Sequence, residues 1–373
     1  MRALLTGARR VVVKIGTNAL THASGGFNRD HFQNLAEDLL QAARGRELLV
    51  VSSGAIALGV ERLGLPARPR DIPAKQACAA VGQSRLMRAY EEAFEAGGFK
   101  VAQVLLTHED VQDRRRYLNA RHALHHLLAA KVIPIINEND TVSVDELKFG
   151  DNDALAGLVA GLVQADALII LSDVEGLFDA DPRSTSTARL LSEVPRVTPE
   201  LLRLAGGSGS YVGTGGMATK VAAAARVTEL GIPCVITSGQ TPGRLTQVLI
   251  GEPQGTLFLP QTTGRSARDT WIAHALFPKG RLHLDDGARN ALRALKKSLL
   301  PSGIVRVEGV FQQGDPVDLV GSDGQTFGRG LATYSAEELQ KLLGRKSSEI
   351  ESILGYRSLD AAIHRDDLVL LTP

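Results

Sequence analysis

Short apolar runs rich in β-branched residues recur through the first two thirds of the chain, and they constrain the fold more than any other feature. Each run is too short for a buried helix, and apolar residues on both faces are typical of a parallel strand covered from two sides. Stretches with helical spacing separate the runs. This alternation predicts an α/β fold with a mainly parallel sheet, and an α+β fold is the alternative. The predicted strands are residues 11–15, 48–51, 101–106, 132–136, 167–171 and 234–237, and the predicted helices are 30–44, 72–96, 115–130, 153–163 and 217–230.

The pattern changes after about residue 260. A polar stretch at 261–268 leads into shorter strands separated by turn signals such as Gly314-Asp315. We therefore predict two domains, one at residues 1–260 and a small, mostly β domain at residues 275–373. The predicted strands of the small domain are 281–284, 304–307, 316–320 and 368–371, and its predicted helices are 288–297 and 336–343.

The composition argues against several classes of protein. The 42 basic and 41 acidic residues nearly balance, so neither a nucleic acid nor an anionic membrane is expected as the main partner. Cys78 and Cys234 form no CxxC pair, which excludes a zinc ribbon or a disulfide scaffold and favours a reducing cytosol. The first ten residues lack a long apolar stretch and no apolar run could span a bilayer, so we expect a cytoplasmic protein without a signal peptide.

Polar residues and glycines follow the first two strands, at the edge where parallel sheets bind ligands. Lys14 ends the first strand just before Gly16, which places a cation beside free backbone amides; a lysine that merely extends toward solvent is the alternative. Ser53 and Gly54 follow the second strand. Ser53 either caps the next helix or, with the N-terminus of that helix, holds a substrate carboxylate.

The richest polar stretch follows the predicted strand at 132–136. Its carboxylates and amides would repel one another unless they bind cations, an ammonium group or lysines. A solvated acidic loop is the alternative. The residues that carry this prediction are Asn137, Asp140, Asp151, Asn152 and Asp153.

Two later segments have the composition of a nucleotide site. Ser172 and Asp173 place a hydroxyl and a carboxylate at the end of the strand at 167–171. The glycine-rich stretch 213–220 lets backbone amides approach a polyphosphate, and Lys220 lies in the first turn of the next helix. A flexible loop is the alternative. The chain has no Walker A motif, and no GxGxxG signature follows its first strand.

Taken together, these stretches resemble the amino-acid kinase family, and within it the members that phosphorylate glutamate. The resemblance covers nearly the whole chain, because the motifs occur in the order that the family has. The tail resembles a PUA domain at residues 302–304, 353–356 and 364–367. The motifs of the first domain are VVKIGTN, SSGAIALG, VGQSRL, YLNAR, INENDTV, FGDNDALA, LSDVEGLFDADPR and GTGGMATK.

The resemblance implies that the amino-terminal domain is a three-layer α/β/α sandwich. It also implies that this domain transfers the γ-phosphoryl group of ATP to the side-chain carboxylate of L-glutamate, with Mg²⁺ as cofactor. It implies that Lys14, Lys220 and Asp153 are catalytic, with Asp153 organising the two lysines. The implied substrate site contains Ser53, Gly54, Asn137, Asp140, Asp151 and Asn152. The implied ATP site contains Lys14, Gly16, Ser172, Asp173, Thr214, Gly215, Gly216, Met217, Ala218, Thr219 and Lys220.

The resemblance also implies partners and regulation. Proline would inhibit the enzyme at a site containing Asp140, Glu146 and Asp151. The chain would form a homo-oligomer, a dimer or a tetramer, and a glutamyl-5-phosphate reductase would consume its product. No dedicated metal ligands are predicted. Ser172 and Ala218 stand where the family frequently has threonine and serine, and these small changes should be tolerated.

The chemistry agrees with this interpretation. A glutamate side chain has a pKa of roughly 4.3, so it is ionised near neutral pH and needs no general base. The barrier is repulsion between two anions, which two flanking lysines reduce. One rival is a kinase of the same family that acts on N-acetylglutamate or aspartate. Another is an RNA-binding or RNA-modifying protein, but residues 275–373 contain 13 basic and 13 acidic residues and so lack the usual positive charge.

Overall fold

The computed structural model describes residues 1–22, 26–112, 114–142, 152–182, 184–206, 216–261, 272, 278–295 and 297–371. The chain divides into two compact units, Met1–Thr263 and Gly264–Pro373. Among the described residues, no helix is both long and apolar enough to cross a membrane. The predicted domain limits of 1–260 and 275–373 stay a prediction.

An eight-stranded sheet forms the centre of the first unit. Its strands are β1 Arg10–Ile15, β2 Glu47–Ser52, β3 Lys100–Leu106, β4 Val132–Glu138, β5 Ala167–Ser172, β6 Glu193–Val194, β7 Cys234–Ser238 and β8 Thr256–Phe258. They lie in the order β3-β4-β2-β1-β5-β7-β8-β6. All neighbouring strands run parallel except β7 and β8, which are antiparallel. The first strand therefore lies near the middle of the sheet.

Helices cover both faces of this sheet. They are α1 Ala3–Thr6, α2 Arg29–Ala43, α3 Ala55–Arg62, α4 Ile72–Glu95, α5 His108–Gln112, α6 Arg114–Ala129, α7 Asn152–Leu162, α8 Pro199–Gly206, α9 Met217–Glu229 and α10 Arg244–Leu249. Alternate residues of β1 point to opposite faces. Val11 and Val13 belong to the core that α2, α4 and α10 share with the sheet, whereas Lys14 reaches Asp153 on α7. The unit is thus a three-layer α/β/α sandwich, as the resemblance implies.

Two glycines let α3 and α4 approach with their backbones in contact. A Cβ atom on Gly59 would lie 1.8 Å from the carbonyl oxygen of Cys78. A Cβ atom on Gly82 would lie 1.7 Å from the carbonyl oxygen of Ala55. No side chain fits at either position, so these glycines serve helix packing rather than ligand approach.

The second unit has its own five-stranded sheet and its own core. Its strands are β9 Gly280–Leu284, β10 Ile304–Gly309, β11 Pro316–Val320, β12 Thr326–Leu331 and β13 Leu368–Leu370, and its helices are α11 Asp286–Leu295, α12 Ala336–Lys341 and α13 Ile350–Leu354. The sheet order is β10-β9-β11-β12-β13. The unit is therefore mostly β, as the sequence predicts.

Every strand and helix predicted from the sequence is present, and its ends agree within two residues. The predicted fold class is confirmed. The sequence pattern misses three strands, β6, β8 and β12. The first two have only two and three residues, and Gly328 and Gly330 interrupt the apolar pattern of the third.

Candidate active site

Two lysines meet one aspartate inside the first unit. Nζ of Lys14 lies 2.5 Å from Oδ1 of Asp153, and Nζ of Lys220 lies 3.0 Å from Oδ2 of the same carboxylate. The exposed fractions are 2% for Lys14, 0% for Asp153 and 5% for Lys220. The structure therefore brings the three predicted catalytic residues together at one carboxylate. Because buried charges are costly unless they are paired, each member depends on the others.

The packing of α7 against α9 brings these charges together. Asp153 and Lys220 each lie in the first turn of a helix. One turn further along, Gly157 lies so close to α9 that a Cβ atom there would be 3.7 Å from the carbonyl oxygen of Ala223. The two helices thus run side by side with their N-termini at the same end. Thr219 adds a hydrogen bond of 2.8 Å from its hydroxyl to Oδ2 of Asp153.

Three of the predicted substrate residues form a hydrogen-bonded group next to the lysines. Nδ2 of Asn152 donates to Oγ of Ser53 at 2.9 Å and to Oδ1 of Asn137 at 3.1 Å. Nδ2 of Asn137 donates in turn to Oε1 of Gln83 at 2.9 Å. Since Asn152 precedes Asp153 in α7, this polar group is attached directly to the charged one. Gln83, on α4, is a member that the sequence analysis missed.

The structure excludes one of the two interpretations of Ser53, that of a helix cap. The N-cap residue of α3 is Gly54, with φ at 105° in the left-handed region, and no side chain caps this helix. The hydroxyl of Ser53 accepts its hydrogen bond from Asn152 instead. Its backbone N–H donates to the carbonyl oxygen of Ile15 at 3.1 Å, which ties it to the end of β1. Ser53 is therefore not a helix cap.

Asp140 lies in the wall of an open pocket of about 250 Å³ between α4 and the ends of β3 and β4. Burial and the neighbouring charge of Glu138 raise the pKa of Asp140 to about 6, while Arg68 opposes this shift. Gln83 also lines this pocket. Because Gln83 contacts Asn137 as well, the pocket adjoins the polar group of Asn152 and Ser53.

The predicted nucleotide residues lie at the ends of β1 and β5. The backbone N–H of Gly16 donates to the carbonyl oxygen of Leu171 at 3.1 Å. The hydroxyl of Ser172 donates to Oδ1 of Asp173 at 3.0 Å, and Nδ2 of Asn18 donates to its Oδ2 at 2.9 Å. The end of β5 is thereby fixed against the turn after β1.

The remaining predicted residues divide into two groups. Gly216 precedes α9, and Met217, Ala218 and Thr219 form its first turn before Lys220. The carbonyl oxygen of Gly216 accepts a hydrogen bond of 2.7 Å from the hydroxyl of Thr219. Four other predicted residues lie outside the described residues: Asp151, Glu146, Thr214 and Gly215.

This arrangement suits the transfer of an anionic group. Two ammonium groups lie on the two oxygens of one carboxylate, beside a cluster of hydrogen-bond donors and acceptors. Fixed positive charges of this kind stabilise charge that develops in a transition state, because they need no reorganisation during the reaction. A family model of the amino acid kinase family matches residues 9–238, which contain all of these residues.

The chain belongs to the amino acid kinase family. A model of the PUA domain matches residues 280–354, within the second unit. The relative named glutamate 5-kinase from Myxococcus xanthus (strain DK1622) is 67% identical over 370 residues, which are 99% of this chain and 98% of the relative. The relative of the same name from Geobacter sulfurreducens (strain ATCC 51573 / DSM 12127 / PCA) is 51% identical over 369 residues, 99% of either chain.

A solved structure shares this fold. Carbamate kinase from Giardia lamblia bound to AMP-PNP has a TM-score of 0.51 at 20% identity, over 69% of this chain and 100% of that one. At this level of identity the likeness concerns the fold alone. The resemblance stated from the sequence motifs is confirmed, both for the kinase family and for the PUA-like tail.

Proposed function

We propose that this protein phosphorylates the side-chain carboxylate of L-glutamate with ATP and so forms L-glutamyl 5-phosphate, the first step of proline biosynthesis. The buried arrangement of Lys14, Asp153 and Lys220 is the observation that carries this proposal. Relatives up to 67% identical over nearly the whole chain bear the name glutamate 5-kinase.

The lysines act as fixed charges in this reaction. Attack by a carboxylate on a triphosphate brings two anions together, and the transferred phosphoryl group carries its charge on its outer oxygens. Lys14 and Lys220 neutralise part of that charge. Neither lysine moves a proton, because the attacking carboxylate is already ionised near neutral pH.

Asp153 holds the two lysines in place. Each of its oxygens binds one ammonium group, so the two charges cannot swing away from the phosphoryl group between turnovers. Preorganisation of this kind lowers the barrier without cost at the moment of reaction. Asp153 is therefore the organiser of the site.

The glutamate site that we propose combines the polar group with the pocket beside it. Ser53 and Asn152 would bind carboxylate oxygens, and Asp140 would bind the α-ammonium group. Asn137 and Gly54 would complete the site together with Asp151, which lies outside the described residues. The hydrogen bonds from Asn152 to Ser53 and Asn137 support this division, because they keep the donors of the site in a fixed arrangement.

The ATP site that we propose lies across the ends of β1 and β5 and at the N-terminus of α9. Gly16 and residues 214–219 would bind the phosphates through backbone amides, with Lys14 and Lys220 as their cationic partners. Ser172 and Asp173 would contact the remainder of the nucleotide. Mg²⁺ bound together with ATP would neutralise part of the phosphate charge, as in phosphoryl transfer generally. Among the described residues no group of three His, Cys, Asp or Glu side chains is placed to hold a metal ion.

Regulation and assembly extend this proposal. Proline would inhibit by overlapping the glutamate site, because it shares the α-carboxylate and the cationic nitrogen of glutamate. Asp140, Glu146 and Asp151 would receive that nitrogen. A dimer or tetramer, a reductase that consumes the acyl phosphate and a cytoplasmic location stay predictions from the sequence.

The test is an ATP-dependent hydroxamate assay, in which hydroxylamine traps an acyl phosphate. The protein with Mg-ATP and L-glutamate should give γ-glutamyl hydroxamate. L-aspartate and N-acetylglutamate are the matched controls and should give little product. Product from either control, with none from L-glutamate, would replace this function by that of another family member.

A further inference from the structure

Asn18 connects three loops at the carboxyl ends of the central strands. It lies in the short 3-10 turn Thr17–Ala19 that follows β1. Its Nδ2 donates to Oδ2 of Asp173, just after β5, at 2.9 Å. Its backbone carbonyl oxygen accepts a hydrogen bond of 3.2 Å from Nε2 of Gln240, just after β7. One residue after β1 is thus bonded to the loops that follow β5 and β7.

The carboxylate of Asp173 is held at both of its oxygens. Oδ1 accepts the hydroxyl of Ser172 at 3.0 Å, and Oδ2 accepts Asn18. Burial acts to raise the pKa of Asp173, but the hydrogen bonds from Asn18 and Ser172 and the charge of Lys220 on α9 hold this pKa below its ordinary value. Asp173 is therefore ionised near neutral pH and can only accept hydrogen bonds.

The loop after β7 packs against the other two loops. The N–H of Gly239 donates to the carbonyl oxygen of Ser172 at 2.7 Å. A Cβ atom on Gly239 would lie 3.1 Å from Cβ of Leu171 and 3.4 Å from Cβ of Ala19. Backbone contacts thus hold the loops together, and the side chain of Asn18 adds its hydrogen bond to the carboxylate of Asp173.

The chemistry of Asp173 limits what it can contact. A carboxylate repels phosphate groups, whereas the hydroxyl and amino groups of a nucleoside are hydrogen-bond donors. We propose that Asn18 is a positioning residue of the nucleotide site, which orients Asp173 toward a donor on the nucleoside part of ATP. This inference rests on the proposed function, because that proposal places Asp173 at the nucleotide.

A role of this kind predicts a specific kinetic signature. The contact between Asp173 and the nucleoside is the same in the ground state and in the transition state, so its loss raises KM and leaves kcat unchanged. We expect Asn18→Ala to raise KM for ATP roughly tenfold, the loss of one hydrogen bond to a charged group. KM for glutamate and kcat should stay within about twofold of wild type.

The pH dependence provides a second signature. Removal of the Asn18 hydrogen bond raises the pKa of Asp173, so the carboxylate is neutralised at a higher pH during acidification. In a plot of 1/KM for ATP against pH, the fall on the acidic side is the acidic limb. This limb should therefore shift to higher pH in Asn18→Ala. Asn18→Asp places a second carboxylate against Asp173 and should shift this limb further. A residue that acted only on the fold would not move it.

The experiment combines steady-state kinetics with calorimetric titration of ATP into the full-length protein without glutamate. Asn34→Ala, on the exposed face of α2, is the matched control and should bind ATP as wild type does. Weaker ATP binding by Asn18→Ala, with the shifted limb, supports the inference. Unchanged affinity or an unchanged limb overturns it.

Two further outcomes separate the possible failures. If wild type binds ATP in an Asn18-dependent manner but forms no glutamyl hydroxamate, the proposed function fails and the role of Asn18 stands. If thermal unfolding shows that Asn18→Ala does not fold, Asn18→Ser and Gln240→Ala decide. Gln240→Ala releases the backbone of Asn18 and should raise KM for ATP about threefold, and unchanged binding in both variants would overturn the inference.

Discussion

Lys14 and Asp153 form a buried ion pair of 2.5 Å between the central strand of the sheet and the first turn of α7. Hydrogen bonding to β2 and β5 fixes the backbone of Lys14 from both sides. Neither side chain can relax toward water, since Lys14 is 2% exposed and Asp153 is 0% exposed. The pair therefore has one geometry, and Lys220 is aligned by the same carboxylate. Catalysis in this account depends on that rigidity.

The protonation of Asp140 should control glutamate binding. Its pKa is raised to about 6 by burial and by Glu138. An ionised Asp140 attracts the α-ammonium group of glutamate, and a protonated one does not. KM for glutamate should therefore rise as the pH falls from 7 to 5, well above the pKa of the substrate side chain at roughly 4.3.

Asp140→Asn provides the control for this prediction. The amide has the shape of the acid but does not titrate. KM for glutamate should therefore be raised at all pH values, and it should no longer depend on pH between pH 5 and 7. A wild-type KM that is constant over that range would show that Asp140 does not bind the ammonium group.

Proline inhibition should depend on Glu146. This residue belongs to the acidic stretch between Asp140 and Asp151 and lies outside the described residues. We expect Glu146→Ala to raise the inhibition constant of proline by about tenfold and KM for glutamate by less than about threefold, as for the loss of one charged contact. Initial rates at several proline concentrations give both constants. An equal increase in the inhibition constant of proline and in KM for glutamate would contradict the prediction. So would a wild-type enzyme that proline does not inhibit.

The close contact between α3 and α4 should tolerate no side chain. In Gly82→Ala the new Cβ atom would meet the carbonyl oxygen of Ala55 at 1.7 Å. We expect the free energy of unfolding of the first unit to fall by about 3 kcal/mol, because two backbones must separate. Gly7→Ala is the control, since nothing lies within 4 Å of its Cβ position. Denaturant unfolding of both variants should show a lower free energy of unfolding only for Gly82→Ala.

The first unit should work without the second. A chain that ends at Thr263, the limit of the first compact unit, keeps Gln261, whose backbone N–H donates to Thr228 and whose side chain donates to Pro195. All predicted catalytic and binding residues precede residue 221. We expect this truncated protein to fold and to retain kcat within about threefold, since it keeps every predicted catalytic residue. A folded but inactive truncation would show that the tail completes the site.

The sequence predicts the elements well because their causes are local. Apolar runs and helical spacing are properties of neighbouring residues, and β1, β5 and α9 therefore appear where the pattern predicts them. Lys14, Asp153 and Lys220 were predicted as a group only through the family resemblance. No spacing in the chain shows that α7 and α9 lie side by side and bring two of them together.

The residues that the sequence analysis missed depend on tertiary packing. Gln83 lies in the middle of α4, where nothing local distinguishes it from a solvent-exposed residue, and its role follows from the position of Asn137 on β4. Asn18 is the last residue of the motif VVKIGTN, but its partner Asp173 follows a different strand. The glycines of α3 and α4 belong to motifs of the family, yet their function in helix contact is visible only when the two helices are placed together.

The central claim is that Asp153 fixes two lysines that stabilise the transferred phosphoryl group. Lys220→Ala and Lys14→Ala should each lower kcat by about two to three orders of magnitude. Asp153→Asn tests the claim most directly, because it preserves the shape of the side chain and removes the charge that aligns both lysines. Its kcat in glutamate-dependent hydroxamate formation should fall by at least about a hundredfold, while circular dichroism shows an intact fold. A folded Asp153→Asn enzyme with nearly wild-type kcat would contradict the account.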